Sequence, residues 1–277
     1  MIEIRDLSKQ YGKVQALGGV SLDVEKGELF AYLGPNGAGK TTTIRILTGL
    51  TRHDGGAAKL NGMDIAKEPR EAKKQFGLVP QQLNLDADLT VRENLFIHGL
   101  LYNMPRSEIN RRIDELLEYM DLTDRGGSLA KTLSGGLKRR VVIARAMVHS
   151  PAILFLDEPT VGLDPNIRRR IWALIKKIQA DGATIFLTTH YIEEAEFLAR
   201  RVAFIDEGKI VTIDSPANLT SRLGGWAVDR LEDDRLTTEF FEAREKAVAY
   251  TLDQADGCTI RRVNLEDAFI AMTGKKI

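Results

Sequence analysis

The chain is 277 residues long, more than one modal domain and enough to bury a sizeable core. Its 39 basic and 39 acidic side chains cancel, so no overall field marks a nucleic-acid binder, and no nucleic acid is expected as a partner. The lone Cys258 excludes an internal disulfide framework and points to a reducing compartment, and no apolar run reaches the ~20 residues that span a bilayer.

Residues 2–33 alternate in the manner of strands, with turns at Tyr11-Gly12-Lys13 and Glu25-Lys26-Gly27. The opening Met1-Ile2-Glu3-Ile4-Arg5 already alternates and reads as a strand rather than a leader. Tyr11 falls on a loop, where its ring either stacks on a base or half-buries in a turn. The apolar Leu29-Phe30-Ala31-Tyr32-Leu33 then leads into Gly34-Pro35-Asn36-Gly37-Ala38-Gly39-Lys40-Thr41, which fits the phosphate-loop pattern G-x-x-x-x-G-K-[ST]. A helical run through Ile44 and Leu47 follows. Glycines let the backbone curl so that N–H groups form an anion-binding nest, with the helix N-terminus aimed at the same spot. Lys40 can reach the β- and γ-phosphates, and the Thr41 hydroxyl can ligate Mg²⁺.

Residues 54–65 read as two short strands, with Gly55-Gly56 and Asn61-Gly62 as hairpin signals. A strand is expected at Gly77-Leu78-Val79, before Pro80-Gln81-Gln82. From about residue 90 the pattern turns helical. Thr90-Val91-Arg92-Glu93 reads as a capping box, and after Pro105 the apolar stripe Ile109, Ile113, Leu116, Leu117, Met120 marks a core-facing helix. Residues 90–150 read as a helical subdomain inserted in an α/β framework. Within it, Ser134 is placed to cap a helix, and Gly135 and Gly136 expose backbone N–H groups beside it, a second potential phosphate-binding end. Lys138, Arg139 and Arg140 are expected on a solvated face.

The continuous apolar run Ile153-Leu154-Phe155-Leu156 predicts a strand buried on both faces. It ends in Asp157-Glu158, and two acids there are costly unless they meet a metal or a proton-transfer task. With a phosphate loop present, Asp157 is expected to help hold Mg²⁺ and Glu158 to orient and deprotonate a water. Asp164-Pro165 opens a helix in N-cap and N1 order. A strand over 184–189 ends at His190, either a structural histidine or a donor to the γ-phosphate. A helix over 191–200, strands at 202–206 and 209–213, and a helix capped by Ser215 follow. Beyond a boundary near Leu223-Gly224-Gly225, the tail predicts a strand over 226–231, a helix over 237–246, a short strand before Asp253 and a last helix from Asn264 to Gly274. It is too short for a large core of its own.

In this order and spacing the motifs resemble the ATP-binding cassette (ABC) ATPases, specifically the nucleotide-binding subunit of a membrane transporter. The resemblance implies an α/β fold: a P-loop NTPase (RecA-like) core with an antiparallel β subdomain and an inserted α-helical subdomain. Residues 1–222 would form this domain, and 223–277 a small C-terminal α+β extension. By resemblance, Tyr11 stacks on adenine, Gly34 through Thr42 form the phosphate loop, and Gln81 touches Mg²⁺ and senses the membrane subunit. Residues 133–137 are the family signature, and Asp157 is the metal-associated acid, beside Thr41 and Gln81. Glu158 is the catalytic glutamate, Asp164 faces the partner subunit and His190 is the switch histidine, with Lys40 completing the catalytic set.

The same resemblance implies ATP and Mg²⁺ as cofactors and head-to-tail pairing with a second ABC ATPase subunit, identical or not. It also implies an integral membrane permease and a cytoplasmic place at the inner face of the membrane. Leu137 departs from the glutamine usual at the end of the signature. Residues 265–269 are similar to the end of subunits serving export-type permeases, including drug exporters. The alternative, a soluble ABC ATPase of DNA repair or ribosomes, would be expected to carry a coiled-coil insertion, zinc-binding cysteine pairs or two cassettes. A P-loop kinase or GTPase leaves 133–137 unexplained.

Overall fold

The structure, a computed structural model, describes residues 1–232, 235–252 and 257–274. Strands β1 (Ile2–Tyr11) and β2 (Val14–Val24) form the first hairpin, and β3 (Leu29–Leu33) leads to α1 (Lys40–Leu47). Next come β4 (Gly55–Leu60), β5 (Met63–Asp64), α2 (Pro69–Lys74) and β6 (Phe76–Val79). The helical stretch holds α3 (Val91–Leu101), α4 (Arg106–Tyr119) and α5 (Gly135–Ala146). The chain returns through β7 (Ile153–Asp157), α6 (Pro165–Ala180), β8 (Thr184–Thr189), α7 (Ile192–Leu198), β9 (Arg201–Asp206), β10 (Lys209–Asp214) and α8 (Pro216–Ser221). The tail adds β11 (Trp226–Glu232), β12 (Arg235–Phe241), α9 (Arg244–Leu252), β13 (Cys258–Arg262) and α10 (Leu265–Thr273).

The central sheet has the order β10-β9-β3-β8-β7-β6, parallel except for the edge strand β10. Every residue of β3, β7 and β8 is buried, as apolar runs without alternation require when both faces are covered. On one face the antiparallel sheet β2-β1-β4-β5 packs Ile4, Leu17 and Val24 against Phe30, Phe155 and Phe186. On the other, Val142, Ile143, Ile171 and Ile175 of α5 and α6 share a core with the α3–α4 pair. Because β3, β8 and β7 are parallel neighbours, their carboxyl ends lie side by side. The phosphate loop, His190 and the Asp157-Glu158 pair therefore meet at one edge, as the crevice rule for open α/β sheets requires.

The caps expected at Thr90, Ser134, Asp164, Ser215 and Asn264 all form, each side chain accepting from the third residue on. Several expectations fail. Gly55-Gly56 is not a turn but the start of β4, where a Cβ on Gly56 would lie 2.4 Å from the Arg5 carbonyl oxygen. The hairpin turn is Asn61-Gly62 alone, joining β4 to β5. The helix expected over 237–246 is a strand up to Phe241: Thr237, Thr238, Phe240 and Phe241 suit a pleated surface and pair with β11. The helix starts only at Arg244 and runs through Leu252, displacing the short strand expected there. The next strand is β13, and Asp253 itself lies outside the described residues.

The tail also joins the main body. Leu265, Ala268 and Phe269 of α10 are buried with Leu33, Phe204 and Leu219, and the Phe269 and Phe204 rings meet edge-on at 5.0 Å. Arg261 fastens the tail sheet to this helix, donating to Asp229 and Asp267 at 2.6 Å each.

Candidate active site

The loop between β3 and α1 is shaped by close approach. A Cβ on Gly34 would sit 2.2 Å from the Ile205 carbonyl oxygen, and Gly39, at φ 108, would bring one to 2.7 Å from that of Ala16. No side chain caps α1. Its first N–H groups, which have no intrahelical partner, border an open cleft of about 210 Å³ lined by Asn36, Gly37, Gly39, Lys40, Thr41 and Thr42. That donor-rich rim fits a polyphosphate. Lys40 is 4% exposed, and its Nζ donates to the carbonyls of Gly34 at 2.7 Å and Pro35 at 3.1 Å. Burial pulls its pKa down, and the Glu158 charge, 3.5 Å from Nζ, works the other way.

Asp157 ends β7 with its side chain buried, and Thr188 Oγ1 donates to Oδ1 at 2.6 Å. Burial raises its pKa, which that hydrogen bond partly offsets. Glu158 turns the chain at φ 48, a left-handed conformation that costs a non-glycine residue about 1–3 kcal/mol. Its N–H donates to the Thr188 carbonyl at 3.0 Å, so β8 holds the turn. Its Oε2 accepts from Gln81 Nε2 at 3.3 Å and lies 3.0 Å from His190 Nδ1, while Oε1 faces Lys40. Three residues picked out in sequence, Lys40, Gln81 and His190, thus converge on one carboxylate.

Arg139, expected in solvent, is instead 2% exposed. It donates to the carbonyls of Pro80 at 2.8 Å and Gln81 at 2.9 Å, so it fixes the loop that carries Gln81. Only Lys138 and Arg140 of that basic run remain partly exposed. The run alone carries no signal for this, because the acceptors are backbone carbonyls far away in sequence. Arg139→Met removes two charge-assisted bonds, each worth about 1.5–3 kcal/mol. It is expected to lower the thermal midpoint and to quicken amide hydrogen exchange of the loop that carries Gln81 about tenfold. A melting curve together with exchange mass spectrometry checks both.

The remaining predicted residues lie elsewhere. Ser134 caps α5, and with Gly136 it lines a separate cavity of about 270 Å³ beside Arg140 and Ile167. A Cβ on Gly136 would fall 2.6 Å from Ile167 Cγ2, so glycine lets α5 approach α6, and Gly135 faces Leu163 more loosely. Leu137 packs its side chain against the neighbouring core. Asp164 caps α6, accepting from the Ile167 N–H at 3.0 Å. Tyr11 ends β1 rather than lying on a loop; its ring is 45% exposed, with Lys9 Nζ 5.3 Å from the centroid. Val14 and Ala16, which sequence reasoning passed over, line the cleft instead.

A curled loop between a buried parallel strand and an uncapped helix suits phosphates, and the Glu158 carboxylate lines the same cleft. The class so defined is the P-loop nucleoside-triphosphate hydrolases. Residues 17–161 match the family described as ABC transporter, and the chain belongs to it as an ATP-binding, ATP-hydrolysing subunit. The linearmycin resistance ATP-binding protein LnrL of Bacillus subtilis is 42% identical over 88% of this chain and 78% of its own length. The daunorubicin resistance ATP-binding protein DrrA2 of Streptomyces coeruleorubidus is 38% identical over 98% of this chain and 94% of its own. Among solved structures, an ATP-binding subunit of an ABC transporter superposes with a TM-score of 0.72 at 31% identity, covering 80% of this chain and 92% of that one. A dimeric ATP-binding cassette in a post-hydrolysis state, bound to ADP and Pi, does so at 0.69 and 30% identity, covering 78% and 98%.

Proposed function

We propose that the chain drives export of a substrate through a separate integral membrane permease, closing head to tail with a second ABC ATPase subunit over ATP. The observation that carries this is the split site. Lys40, Gln81 and His190 gather around Glu158 in one cleft, while Ser134 and Gly136 line another cavity of the same chain. A second subunit's signature helix would complete each cleft. The resistance and export names of the relatives, and the dimeric cassette among the structural neighbours, support the reading.

In this reading Lys40 leaves the carbonyls of Gly34 and Pro35 for the phosphates, and Thr42 and the loop amides hold their oxygens. Glu158 accepts a proton from the attacking water, and His190 and Gln81 hold that carboxylate in aim. Thr41, Asp157 and Gln81 would hold a magnesium ion, which when bound neutralises phosphate charge. Tyr11 stands at the hairpin rim as an adenine platform, and Asp164 faces the partner. Residues 1–222 act as the cassette and 223–277 as its extension.

Among the described residues no helix is long and apolar enough to cross a membrane. Attachment in this reading comes through the permease at the inner face. Leu83, on the Gln81 loop, and Ile97, Leu100 and Leu101 on α3 are exposed, an apolar face suited to docking it. The tagged chain is expected to capture an integral membrane protein from detergent-solubilised membranes. The pair Ile97→Asp and Leu101→Asp should abolish that capture while ATP affinity stays within about twofold. Capture undiminished by the pair would remove α3 from docking, and capture of no membrane protein by the parent would sink the transport reading.

A further inference from the structure

Glu194 lies on α7, just beyond His190, and its side chain is completely buried. Its Oε1 accepts from Thr160 Oγ1 at 2.7 Å and from Trp172 Nε1 at 2.9 Å. Thr160 belongs to the stretch that runs from Glu158 to the Asp164 cap and is itself 0% exposed. That stretch is folded on itself by Val161 N–H to the Glu158 carbonyl at 3.3 Å and Leu163 N–H to the Thr160 carbonyl at 3.2 Å. Trp172 sits on α6. One carboxylate therefore joins three segments: the turn leaving Glu158, the helix leaving His190, and α6 behind both.

The chemistry favours more than filling space. Burying a carboxylate costs several kcal/mol, which an apolar side chain of similar volume would not incur. Burial pushes the pKa of Glu194 up, and the Thr189, Thr160 and Trp172 donors and the guanidinium of Arg168 work the other way, although Oε2 itself has no close hydrogen-bond partner among the described residues. The carboxylate's charge bears on Arg139, which fixes the Gln81 loop. Glu194 thus stands behind the turn that leaves Glu158 and bears on the arginine that fixes the Gln81 loop.

We propose that Glu194 is a positioning residue, tying residues 159–164 to α7 so that Glu158, Asp164 and His190 keep one relative geometry. The inference rests on the roles given above to Glu158 and His190. The Trp172 bond anchors the carboxylate, and the Thr160 bond carries the loop. The two bonds should therefore differ in what they control.

The test uses the full chain and reads both ATP hydrolysis and amide hydrogen exchange of residues 159–164. Thr160→Val, which deletes the hydroxyl at nearly constant volume, is expected to lower kcat at least about tenfold with KM for ATP within about twofold. Exchange of the loop amides should quicken at least about tenfold. Thr160→Ser, which keeps the hydroxyl, is expected to hold kcat and exchange within about threefold of the parent, and Trp172→Phe likewise, even with a lower melting temperature. Parent-level kcat and exchange in Thr160→Val would overturn the proposal. So would equal losses in Trp172→Phe, which would make Glu194 a packing anchor only. Glu158→Gln in the same assay separates the two readings: parental turnover there defeats the role of Glu158, while loop exchange still reports on the Thr160 bond.

Discussion

Replacing Glu158 by Gln is expected to lower ATP turnover by about a hundred- to ten-thousandfold, the range a positioned general base supplies, while ATP still binds. The substitution is nearly isosteric. The side chain is 8% exposed, and its backbone is set by the bond to Thr188 and the turn at φ 48, none of which an amide disturbs. What disappears is the basic oxygen between Gln81 and His190. In the proposed reading, binding and closure rest on the phosphate loop and the opposing signature, so the variant should accumulate as an ATP-bound dimer. Sedimentation velocity in Mg·ATP, set beside steady-state phosphate release, reads both effects. Turnover near the parent's would take the role of base away from Glu158.

Lys40→Ala acts one step earlier. The ammonium is buried and makes two bonds to loop carbonyls, besides its approach to Glu158. An ATP phosphate would exchange these for charge-assisted bonds worth about 1.5–3 kcal/mol each. Losing one such bond should weaken ATP binding roughly 10- to 150-fold, measured by equilibrium titration with a fluorescent ATP analogue. Unchanged affinity would count against the phosphate assignment. Lys40→Arg is not a rescue, because a planar fork does not replace a compact ammonium in a cleft this closely lined.

The loop, the acid pair and the helix caps were legible in the sequence because each is local: spacing, a strand before and a helix after define them. The α/β layering was legible too, since β3 and residues 153–156 of β7 are apolar runs without alternation, β8 is rich in β-branched residues, and the helices show their own period. Arg139 and Glu194 were not. Each is decided by partners on other segments, backbone carbonyls at Pro80 and Gln81 for one, Thr160 and Trp172 for the other. The tail misled for a related reason. Glu242 to Lys246 reads as helix, but pairing with β11 governs the residues just before it. Gly55-Gly56 looked like a turn because a bulge against β1 and a hairpin draw on the same residue.

The docking of Phe269 on Phe204 also sets a timetable for the newborn chain. Strand β9 leaves the ribosome well before α10 does, and at ~5–20 residues per second the wait lasts roughly several seconds. Throughout it, the face formed by Leu33, Phe204 and Leu219 lacks the cover it has at the end. A chain stopped at residue 222 would keep that greasy flank permanently. The tail is thus the last piece to close over this apolar face.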